Sequence, residues 1–291
     1  MSWCAAVRSS VALIGSAVGG SPSPAMHRAA FECLGLASWS YSKIAVRRGA
    51  LPDRWKELAA THVGINVTAP HKEVAARLVD ELTPAAAVAG SVNTVVFSSE
   101  GSIGATTDGP GFLKALARAG IPNPRRALVL GTGGAARAIG AALLERGTTV
   151  TISGRNASAG KLVVAALSAA GSGQVAFAPM AAAALAPLLA GADLLVNATT
   201  AGSLSSPDES PLPPGLAPSR GNVVFDAVYL PQMTPLLKLA NDSGCVTVFG
   251  LEMLVEQAAL SFALWTGLEA PLEVMRRAAQ MALFSEEALL P

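Results

Sequence analysis

Cysteine is scarce in these 291 residues: Cys4, Cys33 and Cys245 are the whole complement, with no paired spacing and no Cys-x-x-Cys. This excludes a disulfide framework and a Cys-rich metal site, and it fits a reduced, cytoplasmic setting. Histidine is equally sparse. His27, His62 and His71 lack zinc-site spacing, so we read them as structural and expect no metal. Charged residues make up only 14% with a net charge of +1, which leaves no basic footprint for nucleic acid or for an anionic membrane surface. Long apolar runs are missing too. Val11–Val18, which follows Arg8, is short enough to be a first strand closed by a glycine turn rather than an export signal. The run from Ala176 to Val196 is broken by Pro179, Pro187 and Asp193, short of the ~20 uninterrupted residues of a membrane span. What the chain does have is apolar mass, 51% of its residues, ample for a buried core. At roughly 150 residues per domain, one large or two modest soluble domains acting on a small molecule are expected.

Short apolar runs alternate with amphipathic stretches, the pattern of an α/β fold with a largely parallel sheet. Strands are expected at Val11–Ile14, His62–Val67, Thr94–Phe97, Ala127–Leu130, Thr149–Ile152, Leu194–Asn197, Val223–Asp226 and Val246–Phe249. Helices are expected at His71–Leu82, Gly111–Ala119, Ala135–Glu145 and Lys161–Ala169, and no repeat of fixed period occurs. The turn Thr107-Asp108-Gly109-Pro110-Gly111 marks a boundary, giving a first domain over 1–108 and a second over 109–251. Ser203–Ser219, rich in Ser and Pro, reads as a surface loop. Two closing helices, about Leu251–Thr266 and Leu272–Leu290, bring no strand of their own. We expect this tail, about 252–291, to return to the first domain.

The most specific signal begins at Arg126-Ala-Leu-Val-Leu130, which runs into Gly131-Thr132-Gly133-Gly134-Ala135-Ala136 and then a helical stretch. This is Gly-x-Gly-x-x-Ala in its required strand–turn–helix context, the fingerprint of a Rossmann dinucleotide site. Gly131 permits the tight turn, Gly133 lets the backbone approach a pyrophosphate, and Ala136 allows close helix–strand packing. The helix N-terminus offers free N–H groups to the phosphates. An NAD site usually places Asp or Glu about 20 residues on, for the ribose 2′-hydroxyl. Between Thr148 and Ala159 there is none, and Ser153-Gly154-Arg155-Asn156 stands there instead. A guanidinium binds a 2′-phosphate where a carboxylate would repel it, so NADP is the expected cofactor.

Eight motifs, in order along nearly the whole chain, resemble those of the shikimate dehydrogenase family. They are Gly15 with Ser21-Pro-Ser23-Pro24-Ala-Met-His27, Asn66-Val-Thr68-Ala-Pro70-His-Lys72-Glu73, Gly90-Ser-Val-Asn93-Thr94, Thr107-Asp108-Gly109, the glycine turn through Arg137, Asn197-Ala-Thr199, Asp226-Ala-Val-Tyr229, and Gly250-Leu-Glu-Met-Leu-Val-Glu-Gln257. The resemblance implies a two-domain NADP-dependent alcohol dehydrogenase of the shikimate pathway, in aromatic amino acid biosynthesis. Such an enzyme reversibly reduces 3-dehydroshikimate to shikimate. The resemblance further implies that Ser21, Ser23, Asn66, Thr68, Asn93, Tyr229 and Gln257 bind substrate. It adds Thr199, Ala227 and Gly250 to a cofactor set of Gly131, Thr132, Gly133, Gly134, Ala135, Gly154, Arg155 and Asn156. The substrate carries one carboxylate and three hydroxyls, so short hydroxyls and amides aimed at fixed points suit it.

Lys72 and Asp108 are the residues to which the resemblance assigns catalysis. Moving a hydride off an alcohol requires a base for the hydroxyl proton, and the reverse requires an acid. A lysine serves near neutrality when burial lowers its pKa, and an aspartate beside it orients it. The chain departs from the family pattern at three places: Ala17-Val18-Gly19-Gly20 replaces Pro-Ile-x-His, Thr106 stands for the Asn of Asn-Thr-Asp-Gly, and Gly154-Arg155-Asn156 replaces Asn-Arg-Thr. The first two are expected near the substrate and leave quinate or aminoshikimate open as substrates. A non-catalytic NADP-sensing regulatory protein is the alternative from another class, and monomer and homodimer are both open.

Overall fold

The computed structural model describes residues 9–121, 123–170 and 173–287. Among these residues the strands gather into two sheets. The first comprises β1 (Ser10–Gly15), β2 (Ser40–Ala45), β3 (Gly64–Val67), β4 (Glu81–Leu82), β5 (Thr94–Ser98) and β6 (Gly101–Ala105), in the order β2-β1-β3-β5-β6-β4. The second comprises β7 (Arg126–Leu130), β8 (Thr149–Gly154), β9 (Val175–Pro179), β10 (Leu194–Asn197), β11 (Val223–Asp226) and β12 (Val246–Val248), in the order β12-β11-β10-β7-β8-β9. Every pairing in the second sheet is parallel. Its strand order reverses between β7 and β10, the switch point at which open α/β sheets take their ligands. The largely parallel arrangement expected holds in the first sheet too, with one exception: β5 runs antiparallel to both β3 and β6. The cause is local: Ser98 pairs with Gly101 across a tight hairpin, and such a hairpin joins only antiparallel strands.

The helices are α1 (Ser23–Cys33), α2 (Leu51–Thr61), α3 (Lys72–Leu78), α4 (Pro84–Ala89), α5 (Asp108–Arg118), α6 (Gly134–Glu145), α7 (Ala157–Ala170), α8 (Ala182–Gly191), α9 (Pro235–Asp242), α10 (Gly250–Thr266) and α11 (Leu272–Glu287). Two of them start on the same device. Thr83 and Thr234 accept the amides of Ala86 and Leu237, and a proline follows each threonine at the first helical position, where no intrahelical amide partner is lost. The helix expected at His71–Leu82 is shorter in the structure. Val79 turns extended, and Glu81–Leu82 pairs with β6 as an edge strand. The segment expected as the Thr107–Gly111 turn instead opens α5. Pro110 is tolerated there because first-turn amides have no helical partner. A Cβ on Gly109 would lie 2.6 Å from Ala138 O, and one on Gly111 would lie 2.8 Å from Gln257 N. These glycines let α5 wedge between α6 and α10. The last part of the expected closing helix, residues 288–290, lies outside the described residues.

Burial explains the rest. β10 is buried at all four positions, the continuous apolar strand typical of a sheet covered on both faces. Ile139 and Leu143 cover one side of the second sheet, and Leu185 and Leu236 cover the other. α10 and α11 pack on the first sheet, where Phe262, Trp265 and Met275 share one core with Val11, Met26 and Phe31. Trp265 Nε1 donates to Val95 O at 2.9 Å. Arg118 of α5 reaches Glu273 of α11 at 2.8 Å, and Arg276 of α11 pairs with Glu252 of α10. Among the described residues no helix is long and apolar enough to cross a membrane.

Candidate active site

A cavity of about 180 Å³ opens where the two halves of the chain meet. Ser21, Ser23, Asn66, Thr68, Lys72, Asn93, Asp108, Tyr229 and Gln257 all line it, together with Ala135, Ala227 and Gly250. Every residue expected to bind or transform substrate is therefore in one wall. Lys72, the first residue of α3, donates from Nζ to Asp108 Oδ2 at 2.5 Å. Asp108 is buried at the start of α5, and its other oxygen accepts from Asn93 Nδ2 at 2.9 Å. Asn93 Oδ1 in turn accepts the Thr107 amide at 2.7 Å. Both carboxylate oxygens are thus engaged, and an ionised Asp has only acceptors to offer.

Beneath the cavity lies a buried polar lattice. Asn66 Nδ2 lies 3.1 Å from Ser261 Oγ and 3.2 Å from Thr94 Oγ1, and Asn66 Oδ1 accepts from Tyr41 at 2.8 Å. Asn66 lines the cavity with its amide already engaged by the protein, so it supports its neighbours more than it presents a free donor. Thr107 and Ser261 lie within 3.2 Å of each other, and Gln257 Oε1 lies 3.1 Å from Asn93 Nδ2. Tyr41 and Ser261 stand in none of the sequence motifs, and Thr107 stands in one without an expected role. Ser261 sits one helical turn from Gln257, a spacing that would have flagged it. Burial pushes the Tyr41 hydroxyl well above its ordinary pKa and raises that of Tyr229, so both remain neutral donors. His27 stacks on Tyr41 at 4.5 Å, and burial drops its pKa to about 3, so the ring is neutral.

The expected cofactor residues lie on the other half. Gly131 has φ +125, and a Cβ there would sit 2.8 Å from Ala198 O. At Gly133, by contrast, a Cβ would meet nothing within 4 Å, which leaves an open cradle at the start of α6. Gly154 backs onto Thr132, and Thr199 donates from its hydroxyl to Asn197 Oδ1 at 2.7 Å. Asn156 Oδ1 accepts the Ala159 amide at 3.0 Å, as a cap would. Arg155 is 85% exposed and has Glu209 at 3.6 Å, a carboxylate brought in from the Ser203–Ser219 loop. A larger cavity of about 650 Å³ lies between α4, α5, α6 and α7 and contains none of the expected site residues. Thr106, in the link between β6 and α5, lines that cavity and not the smaller one, which corrects its expected place near the substrate.

Family models match two stretches of the chain. The shikimate dehydrogenase substrate-binding domain matches residues 13–95, and the shikimate 5′-dehydrogenase C-terminal domain matches 250–280. A shikimate dehydrogenase (NADP(+)) from Thermus thermophilus is 42% identical over 94% of this chain and 98% of that relative. The chain belongs to the shikimate dehydrogenase family. A solved structure of the Thermus thermophilus shikimate 5-dehydrogenase with NADP(H) and shikimate superposes with a TM-score of 0.83 at 38% identity, covering 94% of this chain and 99% of that one. A quinate dehydrogenase from Corynebacterium glutamicum with NAD reaches 0.82 at 29% identity, covering 94% and 98%. Within the shikimate dehydrogenase family, overall shape does not separate these substrates.

One further group ties the ends of β10 and β11 together. Asp226, at the end of β11, accepts from Asn197 Nδ2 and the Val228 amide at 2.9 Å each and from Thr234 Oγ1 at 2.7 Å. Burial nevertheless pushes its carboxyl up to about 6, with those hydrogen bonds opposing. The folded state therefore keeps this proton to higher pH than the unfolded chain does. The stabilising contribution is complete below about pH 4 and is lost as pH rises through about 6. A shift of this size is worth about 3 kcal/mol. Relative to wild type, Asp226→Asn should gain stability by that order between pH 4 and 7 in urea unfolding. A pH-independent difference between the two proteins would contradict the assignment.

Proposed function

We propose that this chain is an NADP-dependent shikimate dehydrogenase in which Lys72 and Asp108 handle the proton. The Lys72–Asp108 pair in the wall of the small cavity carries the reading. In the direction of reduction, Lys72 donates a proton to the carbonyl oxygen of 3-dehydroshikimate, and in oxidation it takes the hydroxyl proton back. Asp108 accepts from Lys72 and orients it, and Asn93 fixes Asp108. Ser21, Ser23 and Tyr229 offer hydroxyls to the substrate carboxylate, while Thr68, Asn93 and Gln257 address the ring hydroxyls. The dinucleotide, when bound, supplies the hydride at the nicotinamide ring.

The open cradle beside Gly133 and the strained turn at Gly131 fit a pyrophosphate against the start of α6. Arg155 would hold the 2′-phosphate, releasing Glu209 as it does so. An exposed pair of this kind is worth about 0–1 kcal/mol, a minor obstacle. On this reading residues 1–108, completed by about 252–291, bind substrate, and 109–251 bind cofactor. A cytoplasmic setting accords with the free thiols of Cys33 and Cys245.

Purified protein should form NADPH from NADP when given shikimate, followed by near-ultraviolet absorbance. A far larger kcat/KM with quinate or aminoshikimate would overturn the substrate, and cofactor binding without any turnover would favour a sensor. In the same assay Arg155→Ala should weaken NADP far more than NAD; equal losses would remove the 2′-phosphate role.

A further inference from the structure

We propose that Arg137 and Glu73 form a positioning pair that spans the two domains and sets the distance between the cofactor helix and Lys72. The inference rests on the reading of Lys72 as the acid–base group. Arg137 lies in the first turn of α6, where a cation faces the positive end of the helix dipole, at a disadvantage of about 0.3–1 kcal/mol. Its side chain is nevertheless 17% exposed, with Nε buried and lacking a hydrogen-bond partner. Something must offset that position, and the nearest carboxylate belongs to the other domain: Glu73 Oε1 lies 3.6 Å from Arg137 Nε. Glu73 stands in the first turn of α3, where an acid is favoured, directly after Lys72.

The surroundings show how close this junction is. A Cβ on Gly134 would lie 2.6 Å from Ser91 Oγ and 3.1 Å from Lys72 Cβ, so the start of α6 rests against the lysine itself. A Cβ on Gly90 would lie 3.7 Å from Arg137 Nη1. Both ends of the guanidinium therefore face first-domain groups, Glu73 and Gly90. That orientation separates Arg137 from a phosphate ligand, which would turn toward the open cradle at Gly133. Ser91, fully buried and with its Oγ lacking a hydrogen-bond partner, fills the contact. Because hydride and proton must move in one geometry, a displacement of about 1 Å at this junction can lower the rate on the order of 10²-fold.

The test is a cycle of Arg137→Gln, Glu73→Gln and the double variant in the full-length chain. Each single variant should lower kcat about tenfold, with NADPH affinity, read by nucleotide fluorescence, within about twofold of wild type. The double variant should be no slower than the slower single one, since both remove one interaction. Arg137→Lys should recover part of the loss, because a cation remains opposite Glu73. If Arg137→Gln instead weakens NADPH about tenfold while Glu73→Gln keeps wild-type kcat, Arg137 is a phosphate ligand and the pair is refuted. Multiplying losses in the double variant would refute it equally. Failure of the underlying reading shows separately, as near-normal kcat in Lys72→Ala.

Discussion

Replacing Lys72 by alanine is expected to lower kcat by about 10²–10⁴-fold, the range for loss of a general acid–base group. The affinity for NADPH should stay near that of wild type, because the Lys72 ammonium is directed to Asp108 in the substrate cavity and only the side-chain stem, whose Cβ alanine keeps, lies against the start of α6. Asp108, its hydrogen-bond partner, does not take its place. Asp108 has one oxygen on Lys72 and the other on Asn93, so it holds its partner and does not itself face the carbonyl with a proton. Removing the ammonium also leaves a buried carboxylate without its counter-charge, which costs stability as well as rate. The rate must therefore be read with unfolding measured alongside it, and Lys72→Met, which fills more of the volume, separates the two effects. A variant that folds and keeps near-normal kcat in steady-state assays would end the assignment of Lys72.

The cofactor turn was legible because all of its chemistry is local: Leu130, Gly131, Gly133 and the start of α6 are consecutive, and their order is the signal. The proposed catalytic pair was not legible in that way, since Lys72 and Asp108 stand 36 positions apart and only the family resemblance joined them. The structure supplies the reason they meet. Asn93 precedes β5 and Asp108 follows β6, and the hairpin register that pairs Thr94 with Ala105 returns the chain to its starting point. β2, β6 and β9 lie outside the expected strands: Ser-Tyr-Ser-Lys-Ile-Ala and Gly-Ser-Ile-Gly-Ala carry too little apolar alternation to stand out, and Val175–Pro179 merges into the alanine-rich run. Tyr41 was hidden with β2. Arg155 shows the limit of a sequence window most plainly: no carboxylate lies near it along the chain, yet the fold delivers Glu209 from a loop more than fifty residues on.

The tail's attachment is also a matter of contacts that sequence does not show, and it can be tested at Gly64. Gly64→Ala is expected to destabilise the protein by about 2–5 kcal/mol, combining overpacking with damage to a buried hydrogen bond. The added methyl would sit 2.3 Å from Trp265 Nε1 and 2.4 Å from Val95 O, against both ends of the bond that holds α10 to β5. Neither side can yield alone. Val95 is held by its pairing with β3 and β6, and Trp265 is packed among His27, Tyr41 and the α10 core. Trp265→Phe, which removes only the indole donor, should cost less, about 1–3 kcal/mol. Combining Gly64→Ala with Trp265→Leu should then cost less than the sum of the two, because the smaller side chain removes half of the clash. Urea unfolding measures all three, and a Gly64→Ala change within about 0.5 kcal/mol of wild type would refute the contact. Activity should fall with it, since α10 carries Gln257 and Ser261 into the lattice that holds Asn93 and Asn66. A tail displaced from the first sheet would carry the substrate wall away with it.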